Sequence, residues 1–345
     1  MARILIVTDA WHPQVNGVVR TLDTTTRTLR AMGHTVEVLE PSAYKQVAAP
    51  FYPEIRFALA MPGRVAERMR KFAPDHIHIS TEGPLGLLAR HVCRKRNWRF
   101  STSYHTKFPE YLRAMACVPE SWTYRWLRWF HDGAAAMMVA TPSLDAELKS
   151  RGFIAPIRRW SRGVDQSVFR PRPRIESPHS RPVLLYVGRV SVEKGIEEFL
   201  KLDTPGTKVV VGDGPARSDL EKRYPAAKFL GYLKGDALGE CYAGADLFVF
   251  PSRTDTFGLV VIEALASGLP VAAFPATGPI DILTREELGT CDDDLKLAIE
   301  EALQFGDREA CLREGASYTW ERCTQQFLGN LVNAIPGEPT LSRVG

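Results

Sequence analysis

Residues 246–274 read DLFVFPSRTDTFGLVVIEALASGLPVAAF. Leu247 to Phe250 is a short unbroken apolar run closed by Pro251, which is how a strand buried on both faces reads. A polar stretch follows. Gly258 then opens an apolar run to Ala266 that reads as a helix bound for the interior. Gly268 and Pro270 stop it, and Val271 to Phe274 is a second strand. Strand, helix and strand in so few residues make a crossover unit, and crossover units build parallel sheets. Two acids break the pattern, Asp255 just before the helix and Glu263 inside it. A carboxylate among apolar residues is costly unless it is paired or hydrogen-bonded. Either these are stray surface charges or something polar docks there.

The same alternation extends outward along the chain. RILIVTDA from Arg3, TVEVLEP from Thr35, HIHIS from His76 and RFSTSYHT from Arg99 are strands. Between them lie a helix at 17–32, ended by Gly33, and the helix PLGLLARHVCRKR from Pro84. VLLYVGR, KVVVGDG and AKFLGYL repeat the pattern after residue 182. The intervening QSVFRPRPRIESPHSRP is rich in proline and reads as a linker. With 345 residues, two cores are favoured over one. The expected fold is α/β: two Rossmann-like doubly wound domains, residues 1–165 and 183–318, joined by a linker at 166–182. Residues 319–345 form a C-terminal helix and tail that can return to the first domain. Ligands of such sheets bind at the carboxyl ends of the strands, here in the cleft where two domains face each other.

Composition is that of a soluble globular protein, 45% hydrophobic and 24% charged. The start, MARILIVTDAW, has no signal-peptide pattern, and no apolar run reaches transmembrane length. Cys93, Cys117, Cys241, Cys291, Cys311 and Cys323 include no Cys-x-x-Cys pair, so reduced thiols in the cytoplasm are expected rather than a metal site. The net charge of +4 is unevenly spread: 24 Lys and Arg against 14 Asp and Glu up to residue 165, then 20 against 26. A basic half suggests an anionic partner, membrane or nucleic acid, against the plainer reading of drift in surface charge.

Cation and glycine positions then single out a phosphate chemistry. Gly17 opens the helix after the first strand, where a glycine lets an anion approach backbone N–H groups; an ordinary turn explains it equally well. Arg189 and Lys194, in YVGRVSVEKG, flank the turn after a strand and suit a diphosphate, unless they are simply solvated. Gly212 and Gly214 end another strand without a G-x-G-x-x-G fingerprint, and no P-loop is present. Asp255 stands at a strand's carboxyl end, and the N–H groups of Gly258, Leu259 and Val260 can face a phosphate.

These residues carry a resemblance. VNGVVRT, SYHTKFPEY, RGVDQSVF, VGRVSVEKG, GDGP, GYLKGDAL and GPIDIL, in that order with Asp255-x7-Glu263, resemble the retaining glycosyltransferases of family four, which have the GT-B fold. The family's usual motif is Glu-x7-Glu, so Asp255 is one methylene short. SYHTKFPEY and PATGPIDIL are most similar to enzymes that glycosylate diacylglycerol, and to mannosyltransferases near them. The resemblance implies that Arg189 and Lys194 hold the donor diphosphate and that Asp255 contacts the transferred sugar, supported by Phe257 and Gly258. It implies that Glu263 binds ribose, and that Gly231, Tyr232 and Leu233 frame the nucleobase. Gly17 lies near the phosphates, Gly212 belongs to the donor site, His105 reaches the sugar 6-position, and Arg162 assists the leaving phosphate. No cofactor or metal is implied. For His105 and Glu263 the plain alternatives are a hydrogen-bonded loop histidine and a capped buried acid.

The acceptor side rests on YLRAMACVPESWTYRWLRWF (111–130). Trp122, Trp126 and Trp129 recur at helical spacing with Arg125 and Arg128 between them, suiting an anionic lipid surface. A core helix with arginines outside is the alternative. No nucleic-acid motif appears. The expected activity is transfer of a hexose (glucose, galactose or glucuronic acid) from a UDP-sugar to diacylglycerol, at the inner face of the cell membrane. The alternatives are a GDP-mannose-dependent mannosyltransferase, a transferase to a soluble or polyprenyl-linked glycan, and a non-catalytic sugar-nucleotide binder. The oligomeric state is not legible.

Overall fold

The computed structural model describes residues 1–48, 56–110, 118–173 and 178–335. It divides into two compact units, Met1–Arg162 with the chain from Trp320 onward, and Gly163–Thr319. Cys117 and the start of the 111–130 stretch lie outside the described residues.

The first unit is built on β1 (Arg3–Val7), β2 (Thr35–Leu39), β5 (His76–Ile79), β6 (Ser101–Ser103), β7 (Ala136–Val139) and β8 (Ile157–Arg159). A separate antiparallel pair joins β3 (Lys45–Ala48) to β4 (Arg56–Leu59). The main sheet is parallel in the order β2-β1-β5-β6-β7-β8. Every residue of β5 and β7 is buried, as expected of strands covered on both faces. The helix Gly17–Ala31 is capped by Asn16, whose side chain accepts from Val19 N–H, and Gly33 turns the chain at a φ of 88°. The helix Trp320–Asn330 packs on this unit: Trp320, Cys323 and Phe327 join Ile4, Ile6, Leu22 and Trp160 in one core.

The second unit carries β9 (Val183–Val187), β10 (Thr207–Val211), β11 (Lys228–Gly231), β12 (Leu247–Phe250), β13 (Val271–Ala273) and β14 (Gly289–Cys291). The order is β11-β10-β9-β12-β13-β14, again all parallel. β9 lies between β10 and β12, so the strand order reverses there. The opening stretch forms β12, the helix Leu259–Ala266 and β13. The stretch expected as a linker belongs largely to this unit. Phe169 is buried edge-on against Tyr242, at 5.4 Å between ring centres, and its N–H bonds Asp165 C=O. A fold of two doubly wound α/β units is what the alternation demanded. β8 and β14, of three residues each, carry no unbroken apolar run.

Candidate active site

In an open parallel sheet, ligands bind beyond the carboxyl ends of the strands where the order reverses. In the second unit that point lies between β9 and β12, and Lys194 and Asp255 follow those two strands. The Lys194 ammonium donates to both Asp255 oxygens, at 2.7 and 2.9 Å. Each side chain is 22% exposed. Burial pushes the Asp255 carboxyl up, but the adjacent Lys194 ammonium outweighs it and holds the group below its ordinary value. The site therefore presents a carboxylate held against a lysine side chain. Arg189 is exposed at the end of β9, and its carbonyl accepts the Tyr186 hydroxyl at 2.7 Å.

Glycines allow the loops to close on one another. Gly195, at a φ of 64°, packs so tightly that a Cβ would lie 2.4 Å from Pro251 O; this ties the Lys194 turn to the end of β12. Gly212 has a comparable packing reason: a Cβ there would meet Gly188 O at 1.8 Å, and Val190 N–H bonds Asp213 C=O alongside. Gly258 caps the helix Leu259–Ala266 at a φ of 81°. The Thr277 hydroxyl donates to Asp255 C=O at 2.8 Å, and Phe257 is buried edge-on to Tyr318. Leu259 is half-buried in the first turn.

Glu263 is buried, and its carboxylate accepts the hydroxyl of the equally buried Tyr242 at 3.1 Å. The acid inside the apolar helix is thus hydrogen-bonded, as its burial requires. Tyr242 escaped the sequence reading because 21 residues of intervening fold separate it from its partner. Gly231 ends β11 at a φ of 75° and its C=O accepts Gly212 N–H, while Tyr232 is exposed and Leu233 half-buried beyond it.

In the first unit, Gly17 is the first residue of its helix. His105 and Arg162 follow β6 and β8, and an Arg162 Nη2 donates to His105 Nδ1 at 3.2 Å. Arginine can only donate, so Nδ1 accepts and the proton of neutral His105 sits on Nε2. Nε2 then donates to Ser103 Oγ at 2.8 Å. Both ring nitrogens are engaged inside this unit. Burial, then the Arg162 cation, then His78 and His131, hold His105 well below the ordinary histidine value. Arg162 is buried, bonded to the carbonyls of Trp160 and Ser161, and burial pulls it down to about 10. Ser101, Ser103 and His105 share one face by the twofold strand period, and His78 lies opposite, at 2.9 Å from Ser101 Oγ and 3.1 Å from Ser103 Oγ. That alternation in STSYH was the available signal.

The helix Glu120–His131 turns Thr123, Tyr124, Leu127 and Phe130 inward and leaves Trp122, Arg125, Trp126 and Trp129 outside. The tryptophans are 67%, 37% and 53% exposed, so the core-helix alternative for them is excluded. Arg128 departs from that face: its Nη1 donates to Arg151 C=O at 2.8 Å, just past the helix Pro142–Ser150. Among the described residues no group of three or more His, Cys, Asp or Glu is gathered as for a metal. No described helix is long and apolar enough to cross a membrane.

Residues 15–168 match the model of Glycosyltransferase Family 4, and residues 181–304 that of Glycosyl transferases group 1. The chain is 32% identical over 303 residues to a sulfoquinovosyl transferase of Arabidopsis thaliana, covering 81% of this chain but only 56% of that protein. It is 31% identical over 313 residues to a GDP-mannose-dependent alpha-mannosyltransferase of Mycobacterium tuberculosis, covering 83% of this chain and 82% of that one. An alpha-monoglucosyldiacylglycerol synthase of Streptococcus pneumoniae is more distant, 26% over 350 residues, covering 87% and 78%. The expected preference for diacylglycerol enzymes is corrected accordingly. Among solved structures, sucrose-phosphate synthase of Thermosynechococcus elongatus superposes with a TM-score of 0.73 at 20% identity, covering 95% of this chain and 97% of that one. This is the GT-B fold.

Proposed function

This chain belongs to glycosyltransferase family 4 and is a retaining, hexosyl-transferring enzyme, and we propose that it moves a mannosyl group from GDP-mannose to an acceptor hydroxyl. The observation that carries a transferase reading is the Lys194–Asp255 pair at the point where the strand order of the second unit reverses. Support for the donor comes from the GDP-mannose-dependent relatives, which match over most of their own length. As the sugar leaves, its C1–O bond to the diphosphate breaks and negative charge grows on the phosphate oxygen. The Lys194 ammonium, with Arg189 beyond the same turn, stabilises that charge where it develops. Asp255 takes the hydroxyl groups of the sugar, and Glu263 those of the ribose. The acceptor oxygen bonds C1 on the same face, and its proton passes to the departing phosphate, so no protein base is assigned. His105, held on both nitrogens, orders the end of β6 and keeps Arg162 folded down.

A second reading, hexosyl transfer from a UDP-sugar to diacylglycerol, is favoured by the exposed tryptophan face. Incubation with radiolabelled GDP-mannose, UDP-glucose, UDP-galactose and UDP-glucuronic acid, each with total bacterial lipid or a soluble mannoside, separates the two. Label should leave GDP-mannose. Label from UDP-sugars alone would replace the first reading by the second. Nucleotide binding with no turnover on any pair would leave a non-catalytic binder.

A further inference from the structure

The helices Pro84–Lys95 and Glu120–His131 of the first unit border an open groove of about 690 Å³. Its floor is Arg90, buried with its guanidinium 3.9 Å over the Trp129 ring. Arg90 donates through Nε to Phe130 C=O at 3.0 Å and through Nη2 to Trp129 C=O at 2.6 Å. These carbonyls end a helix, where a cation is favoured. The guanidinium therefore fixes both the helix end and the indole. His91, Arg94 and Lys95 form the exposed wall. The Arg94 and Lys95 side chains have no hydrogen bond or ion pair among the described residues. The acid in the lining, Asp132, is turned away: its Oδ1 accepts Ile154 N–H at 2.9 Å and Ala155 N–H at 3.0 Å. Three permanent cations thus meet without a carboxylate aimed at them.

Trp129 belongs both to this groove and to the exposed stripe. Trp122, Trp126 and Trp129 are four and three residues apart, one face of a helix, and span roughly 10 Å of it. We propose that the groove holds the phosphodiester of an anionic phospholipid in a bilayer, with the tryptophan stripe lying at headgroup depth beside it. A polynucleotide calls for cations repeated along its track. Here they gather in one groove with an aromatic stripe leading off it, the layout of a headgroup site next to an interfacial anchor. The inference deepens the lipid-acceptor reading, but its test needs no turnover, so the two can fail separately.

The test is co-sedimentation of the whole chain with vesicles of phosphatidylcholine alone or mixed with phosphatidylglycerol. Binding should require phosphatidylglycerol. At about 1 kcal/mol per cation near an anionic surface, removing two corresponds to about 25-fold weaker partition, so Arg94→Gln with Lys95→Gln should lose that much. A matched pair on the exposed face of the helix Pro62–Phe72, Arg64→Gln with Lys71→Gln, should lose clearly less. Thermal melts confirm that both pairs fold, and quenching of tryptophan by brominated phosphatidylglycerol reports on the wild type independently. Equal loss in the two pairs would reduce the effect to general charge and overturn the groove. So would binding to neutral vesicles, or absence of quenching. Binding of inorganic phosphate or of a single-stranded oligonucleotide with the same dependence on Arg94 and Lys95, and no vesicle binding, would replace the lipid by that ligand.

Discussion

Lowering the pH from 7 to 5 should weaken the first unit through its buried histidines, and the size can be worked out for His78. His78 is wholly buried between Ser101 and Ser103, and burial holds its imidazole down at about 3. In the unfolded chain it titrates near 6.5. The folded value is the lower one, so the unfolded state binds more protons in between. Its contribution is therefore complete above the unfolded value and drains away as pH falls below it. Over two pH units starting at 7 the loss integrates to about 2 kcal/mol. His105, also depressed, acts with the same sign. Asp9 acts oppositely: burial raises its carboxyl above the ordinary value, so protonation relieves the native state. Denaturant unfolding of wild type and His78→Asn at both pH values isolates the histidine. The variant will be less stable at both, but its loss between them should be smaller by about 2 kcal/mol. An equal loss in both proteins would refute a neutral buried His78.

Further outcomes follow from the geometry. Lys194→Ala should cut turnover by about 3 kcal/mol of transition-state stabilisation, and Asp255→Asn by about 10²-fold with nucleotide affinity largely kept, read from steady-state rates and calorimetry. Asp255→Glu, which restores the family's usual residue, should retain part of the activity. Gly195→Ala places a Cβ against Pro251 O at a positive φ, and should cost about 2 kcal/mol or more in a denaturant melt while lowering turnover through Lys194. Replacing Trp122 and Trp126 by Ser should leave the melt within about 0.5 kcal/mol per site, because both are exposed, whereas Trp129→Ser strips the ring from the buried Arg90 guanidinium and should cost more; a large loss at Trp122 or Trp126 would refute their exposed placement.

Much of the fold was legible because parallel strands buried on both faces are written as apolar runs. Leu247–Phe250 and Val183–Val187 are such runs, and the stops at Gly33 and Gly268 need a positive φ that glycine supplies. What stayed hidden depends on distant residues meeting. Nothing in the spacing of Tyr242 and Glu263 says that a hydroxyl caps the acid. Nothing in RGVD says that Arg162 folds down onto His105 rather than outward. Arg128 lies in the same basic and aromatic run as Arg125, yet it bonds the Arg151 carbonyl, a partner 23 residues away that the local spacing does not show.

The two acids of the opening stretch reach opposite solutions to one problem. Asp255 is reachable by solvent and lies against a cation, so its charge is kept and can be shared with a polar ligand at little desolvation cost. Glu263 is almost fully enclosed, and a neutral hydroxyl meets it instead. A single hydroxyl donor does not exhaust the acceptor capacity of a carboxylate. The arrangement therefore suits hydroxyl groups of the ribose at Glu263 and of the transferred sugar at Asp255, whose charge Lys194 balances. Tyr242→Phe separates these roles: it should weaken nucleotide affinity by roughly tenfold, the worth of one hydrogen bond to a charged group. The rate at saturating donor should hold. A fall in that rate with affinity unchanged would mean that Tyr242 and Glu263 serve the reacting sugar rather than the nucleotide.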